Sequence, residues 1–374
     1  MNYIEKFSTN LGKNALTTAI LPDFFANFAF MSGKSATQAA TGPKKIDASW
    51  WMGALSLAFT VLLVWYLFRI VDFSAMMAVI RRGVNLWWIL LAMGISVGSH
   101  VLRAVKWRLQ LRSLGIDAPF MALCCSIFGC YALNLVLPRV GELWRCTYIA
   151  RRENAPFTKV FGSLVSDRLT DSLTVLLLVV LAFIVAAPAL HAFMQKYPLG
   201  EDLLALFRNP FFWIAVAVAI AIVVALLYFL RGTSLVAKLR QWTAEIWQGF
   251  ATLWRMRGKT AFILLTLAVW AVYFIQFYVA FFAFDFTRAL CDSSTAFGLV
   301  PALVAFVLSA IGMAIPSNGG LGPWNIAVMF GLSIYGISDT QGTAFSMVVW
   351  TAQTVMLLLL GIFTMIYILA KRKH

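Results

Sequence analysis

Long stretches of this chain contain no Asp, Glu, Lys or Arg, among them 49–68, 83–101, 260–284, 293–338 and 340–370. Each offers about the 20 residues that a helix needs to cross a bilayer. A soluble domain carries about 25% charged residues. Here the figure is 12%, against 61% hydrophobic. Such a chain has hydrocarbon for its solvent, and the expected fold is an all-α, polytopic integral membrane protein. Its net charge of +15 belongs to loops on one side of the membrane and to anionic lipid heads, not to nucleic acid.

Six full spans are expected, at about 50–70, 86–107, 169–188, 211–230, 260–284 and 343–370. Lysine and arginine mark the cytoplasmic side. The segment 231–259 carries +5, while 103–117 and 139–168 carry +3 each. The segment 188–210 is neutral and 285–292 carries −1. Both termini then face the cytoplasm, against one mild conflict, since 69–82 falls outside with +2. Residues 1–48 form an N-terminal extension, either an interfacial helix with a flexible linker or a cleaved signal peptide. The membrane domain runs from 49 to 371. Trp242, Trp247 and Trp254 lie among basic residues in 233–257, as in an amphipathic surface helix.

Two uncharged stretches do not fit simple spans. The first, 118–137, ends in Asn134-Leu135-Val136-Leu137-Pro138-Arg139-Val140-Gly141-Glu142. Both of its flanks are basic, so 119–150 is expected to be a re-entrant hairpin entered from the cytoplasm. The second is broken by Pro316-Ser317-Asn318-Gly319-Gly320-Leu321-Gly322-Pro323; two prolines and three glycines cannot continue a helix. Its flanks are acidic, so it reads as a hairpin entered from outside. Opposed broken hairpins, one in each half, are the pattern of an inverted-repeat transporter with its site near the midplane.

Charge at these breaks marks the candidate site, because an ionisable group inside a membrane is costly unless it works or is paired. Arg139, Glu142 and Arg145 fall on roughly one helical face, where two guanidinium forks flank a carboxylate and present donors to a phosphate. Asn134 lies in an apolar helix and needs a hydrogen-bond partner. Asp167 and Asp171 are four residues apart, with Arg168 beside them; each acid serves an arginine or carries a proton. Arg103 is the deepest of Arg103, Lys106 and Arg108, whose plainest role is to snorkel as positive-inside anchors. Ser317, Asn318, Gly319 and Gly320 sit in an unwound loop whose amides, with a helix start near Trp324, favour an anion. The five cysteines read as small buried residues, and the three histidines make no metal-ligand spacing. No metal, cofactor or catalytic set is expected, although Glu142 or Asp171 as the base of an intramembrane transferase stays open.

At these residues the chain resembles the lysylphosphatidylglycerol synthase transmembrane region, or flippase-like domain, family. The resemblance covers about 50–370. It rests on Arg103-Ala-Val-Lys-Trp107, Asn134-x3-Pro138-Arg139-Val-Gly141-Glu142-x2-Arg145, Asp167-Arg168-x2-Asp171 and Pro316-Ser317-x-Gly319-Gly320-x-Gly322. The family often has a further glycine between the proline and the arginine, and usually a glutamate where Asp167 stands. Its bifunctional members carry an aminoacyl-transferase domain after the membrane part. Since this chain ends at Lys371-Arg372-Lys373-His374, the resemblance implies the flippase-like half without the synthase. The implied function is to move or bind a phospholipid or other phosphate-bearing lipid across the bacterial cytoplasmic membrane. A non-transporting scaffold for an envelope lipid-biosynthesis enzyme and a small-solute transporter are the alternatives. That enzyme and a second copy of the chain are the candidate protein partners.

Overall fold

A computed structural model describes residues 83–189, 258–293 and 296–372, with a few isolated residues besides. The expected spans at 50–70 and 211–230, the extension 1–48 and the amphipathic segment 233–257 lie essentially outside the described residues. Within them the chain is helical: α1 (Leu86–Ser113), α2 (Phe120–Val136), α3 (Val140–Arg152), α4 (Phe157–Val185), α5 (Lys259–Phe281), α6 (Asp285–Ser293), α7 (Leu299–Gly312), α8 (Pro323–Ser333) and α9 (Asp339–Arg372). Four of these, α1, α4, α5 and α9, are long and apolar enough to cross a membrane. They coincide with four of the expected spans. The protein is an all-α polytopic integral membrane protein.

The helix ends differ from expectation at charged residues. α4 begins at Phe157 after Pro156, a dozen residues before the expected start. Asp167, Arg168 and Asp171 therefore lie well inside a helix rather than at its mouth. α1 likewise runs on to Ser113 through Arg103, Lys106 and Arg108. Charge ends a span only where it would face lipid; Arg103, Lys106, Asp167 and Asp171 face one another between helices.

Each broken stretch folds as a helical pair. α2 and α3 are joined by Leu137-Pro138-Arg139, with Arg139 in the left-handed region at φ 63°. Asn134 finds its partner here, as its Oδ1 accepts a hydrogen bond from the Gly141 N–H at 2.9 Å. The asparagine thus caps the start of α3 from across the turn. At 1.5 Å per residue α2 spans about 26 Å and α3 about 20 Å, short of the roughly 30 Å hydrocarbon core. α7 and α8 fall short as well, at about 21 and 17 Å.

Glycine sets how closely these pairs approach. A Cβ on Gly141 would run into the Cys130 carbonyl oxygen, and one on Gly331 would stand 2.7 Å from Ala305 Cα. Backbone cannot yield as a side chain can. Gly141→Ala is therefore expected to lower the unfolding free energy by about 1–3 kcal/mol, the usual range for overpacking. The shift in thermal midpoint of the detergent-solubilised protein measures it; an unchanged midpoint would contradict the close packing.

The two pairs meet at their tips. Arg139 Nη2 donates to the Ala314 carbonyl at 2.8 Å, satisfying a carbonyl just past the end of α7. A Cβ on Gly319 would stand 2.6 Å from Leu135 Cδ2, so the glycine loop lies against the last turn of α2. Trp350 on α9 donates Nε1–H to the Gly319 carbonyl at 2.9 Å.

Two apolar cores flank this junction. One gathers Phe277, Phe281, Phe306, Leu332 and Phe345 from α5, α7, α8 and α9. The other gathers Trp107, Leu111, Leu123, Ile149 and Val160 from α1 to α4. All five cysteines are free and buried. α5 runs antiparallel beside α1, tied by the Asn85 N–H to the Ala283 carbonyl at 2.9 Å. At the α1–α2 turn Arg112 Nε donates to Asp117 at 2.8 Å, with Arg108 at 3.7 Å. The Arg112 hydrogen bond holds the Asp117 carboxyl below its usual range.

Candidate functional site

Seven charged side chains from α1, α3 and α4 come together between helices. Asp167 and Asp171, one helical turn apart on α4, form the receiving face. Lys106 Nζ lies between them, 2.8 Å from Asp167 Oδ1 and 3.0 Å from Asp171 Oδ1. Arg103 Nη1 reaches the other carboxylate oxygens, at 3.3 Å from Asp167 and 3.0 Å from Asp171. Arg145 Nη2 approaches Asp167 Oδ2 at 3.6 Å. On the more open side, Arg168 Nη2 pairs with Glu142 at 2.8 Å.

Aromatic faces support the cations. Arg145 lies over the Trp107 ring at 4.5 Å, Lys106 over Phe262 at 5.1 Å and Arg103 over Tyr273 at 5.7 Å. Such contacts strengthen when water is excluded. Trp107 is fixed in turn by its Nε1–H donating to Ser163 Oγ at 2.9 Å. Arg103 Nε donates to the Tyr273 hydroxyl at 3.1 Å, which links the cluster to α5.

Burial decides the character of the site. Lys106 and Arg145 are 0% exposed, Asp167 is 1% and Arg103 is 3%. Lys106 is therefore no snorkelling anchor, as its sequence position implied. Two carboxylates on one face of α4 draw it inward, and only Arg108, one-third exposed beside Asp117, keeps the anchor role. Arg168, at 37%, and Glu142, at 22%, form the accessible edge.

The expected face of Arg139, Glu142 and Arg145 is divided among different partners. Arg139 is exposed and grips α7 through Ala314. Glu142 pairs with Arg168, and Arg145 turns inward to Asp167. Asn134 is committed to the α3 cap. Ser317, Asn318, Gly319 and Gly320 lie at the hairpin junction; Asn318 Oδ1 is buried there without a hydrogen-bond partner among the described residues. The start of α8 is closed by its own Asn325, whose Oδ1 accepts from the Gly322 N–H at 3.1 Å.

Sequence reasoning left out Tyr273, Ser163 and Phe262 from the site; it set Trp107 beside Arg103 and Lys106 but gave Lys106 a different role. Arg103, Lys106 and Trp107 share adjoining positions on α1. That spacing is the local signal that Lys106 turns with Arg103. The others come from distant helices and leave no such mark.

Among the described residues, four basic groups face three carboxylates here. The excess is one positive charge, and none of the three Arg145 guanidinium nitrogens has a hydrogen-bond partner among the described residues. An unbalanced cation at such a place is costly. The arrangement therefore favours an anion.

Comparison with known proteins bears on this reading. A UPF0104 membrane protein of Pyrococcus horikoshii is 29% identical over 117 residues, 30% of this chain. The match spans about a third of that relative, 35% of its length. No solved structure matches the chain. The family model of the lysylphosphatidylglycerol synthase TM region matches residues 53–361, a stretch that holds both hairpins and every residue of the charge cluster. The chain belongs to the lysylphosphatidylglycerol synthase TM region family.

Proposed function

We propose that this membrane protein binds the phosphate of an anionic lipid at the Arg103–Arg145–Arg168 cluster and carries it across the bacterial cytoplasmic membrane. The observation that carries the proposal is the single excess cation among seven buried or half-buried charges. A phosphate supplies the missing negative charge, and guanidinium forks match its oxygens. Arg168 and Glu142, at the open edge, receive the headgroup first. Asp167 and Asp171 hold the arginines in place. The joined hairpin tips, with Arg139 on Ala314 and the glycine loop on Leu135, act as the gate that parts when the lipid moves. No step of this function makes or breaks a covalent bond.

The test is translocation of a headgroup-labelled phospholipid in vesicles reconstituted with the purified protein. Wild type is expected to speed transfer between leaflets, and Arg168→Ala to slow it at least tenfold, the effect of losing ~1.4 kcal/mol of phosphate contact. Equal rates for the two proteins, with the variant folded by circular dichroism, sink the proposal. Lipid binding without transfer in either would instead favour a scaffold.

A further inference from the structure

A second polar group lies deeper along α1. Ser96, His100 and Arg103 stand at i, i+4 and i+7, on one helical face. Ser96 is seven residues from Arg103, about 10 Å along the axis. Around Ser96, Gln353 of α9 donates Nε2–H to Ser96 Oγ at 3.0 Å, and Gln276 of α5 donates Nε2–H to Gln353 Oε1 at 3.2 Å. The chain of contacts is continuous with the cluster, since Tyr273, which Arg103 holds, is one turn from Gln276.

This group is not satisfied. His100 is 3% exposed, yet among the described residues neither of its ring nitrogens has a hydrogen-bond partner, and neither does Gln276 Oε1. A buried polar group without a partner costs about 1–3 kcal/mol. Tyr131 lies against the imidazole with ring centroids 4.6 Å apart, so one side of the histidine is an aromatic face. Acceptors, donors and an aromatic plane are what a hydroxyl-bearing group needs. A neutral imidazole both donates and accepts, as a hydroxyl does, and the amide oxygen accepts.

We infer that the lipid recognised by this protein carries a neutral, hydroxyl-rich headgroup, a polyol or sugar joined through its phosphate, seated on His100, Gln276, Gln353 and Ser96. The inference rests on the phosphate reading above and adds the part of the ligand beyond the phosphate. Charge points the same way. Both nearby carboxylates, Asp167 and Asp171, are already held by Lys106 and Arg103. A lysylated headgroup would bring another cation toward a cluster that has one in excess.

Binding of added lipids to the full-length protein in phosphatidylcholine nanodiscs, read by native mass spectrometry, tests this. Phosphatidylinositol is compared with phosphatidic acid and with lysylphosphatidylglycerol, and a polyprenyl-phosphate sugar with the bare polyprenyl phosphate. The two pairs separate a diacylglycerol carrier from a polyprenyl one. In at least one pair the hydroxyl-bearing lipid is expected to bind roughly tenfold more tightly than its bare phosphate. Lysylphosphatidylglycerol is expected to bind more weakly than phosphatidylinositol. Gln353→Leu should bring the hydroxyl-bearing lipid down to the level of the bare phosphate. Should that variant not fold, His100→Phe preserves the packing against Tyr131 and should show the same loss. Equal binding within both pairs, or tightest binding of the lysylated lipid, overturns the headgroup inference while leaving the phosphate reading standing. No binding of any phosphate-bearing lipid overturns both.

Discussion

Asp167→Asn is expected to lower the unfolding free energy by about 3–5 kcal/mol, the range seen when one partner of a buried ion pair is removed. Asp167 contacts Lys106 at 2.8 Å, Arg103 at 3.3 Å and Arg145 at 3.6 Å. Lys106 and Arg103 keep Asp171. Arg145, with no exposed surface, would lose its one carboxylate partner among the described residues and keep the Trp107 ring. The amide remains a weak acceptor but no longer balances a charge. Most of the cost should therefore fall on Arg145. Adding Arg145→Met puts a flexible apolar side chain against Trp107 and removes the stranded cation, and swapping a buried ion pair for apolar groups is often neutral. The double variant should recover most of the loss, which a double-mutant cycle of unfolding midpoints in detergent would show as a coupling of more than about 1 kcal/mol. A loss below about 1 kcal/mol for Asp167→Asn would mean that the network does not hold the helices together.

The sequence revealed where helices cross because lipid imposes a strong and local rule. A stretch without charge about 20 residues long spans, and α1, α4, α5 and α9 follow it. The breaks were equally plain, since Pro138 and the Pro316–Pro323 segment cannot be helix. That the two breaks touch is a finding of the structure, and Arg139 on Ala314 is the contact. The ends of α1 and α4 were less legible for one reason. Reading a charge as the edge of the membrane assumes that it faces lipid or water. Arg103 and Asp171 are 68 residues apart, and nothing local announces that each neutralises the other. The same distance hid Lys106, whose neighbours Arg108 and Arg112 do reach the surface and suited an anchor. Gln276 and Gln353 are single amides in apolar helices, and their pairing at 3.2 Å exists only once α5 and α9 are packed.

Arg103→Met should have the opposite consequence for ligand binding from Asp167→Asn. Both variants break buried pairs, but they move the charge balance in different directions. Removing Arg103 leaves three cations against three carboxylates, and Asp167 and Asp171 each keep Lys106, at 2.8 and 3.0 Å. The cluster is then balanced by itself and has no place for a further negative charge. Removing the charge of Asp167 leaves two cations in excess. A ligand that binds only the folded state stabilises it by RT ln(1 + [L]/Kd), about 2.7 kcal/mol at a hundredfold excess over Kd. Phosphatidic acid at that excess should therefore stabilise wild type by about 2.7 kcal/mol and the Arg103→Met protein by less than about 0.5 kcal/mol, while folded Asp167→Asn should gain at least as much as wild type. Thermal midpoints with and without the lipid give all three values. Because each comparison is made within one variant, the cost of the substitution itself cancels. Equal stabilisation of wild type and Arg103→Met would show that lipid phosphate binds elsewhere, and that the surplus charge between α1, α3 and α4 is not its receptor.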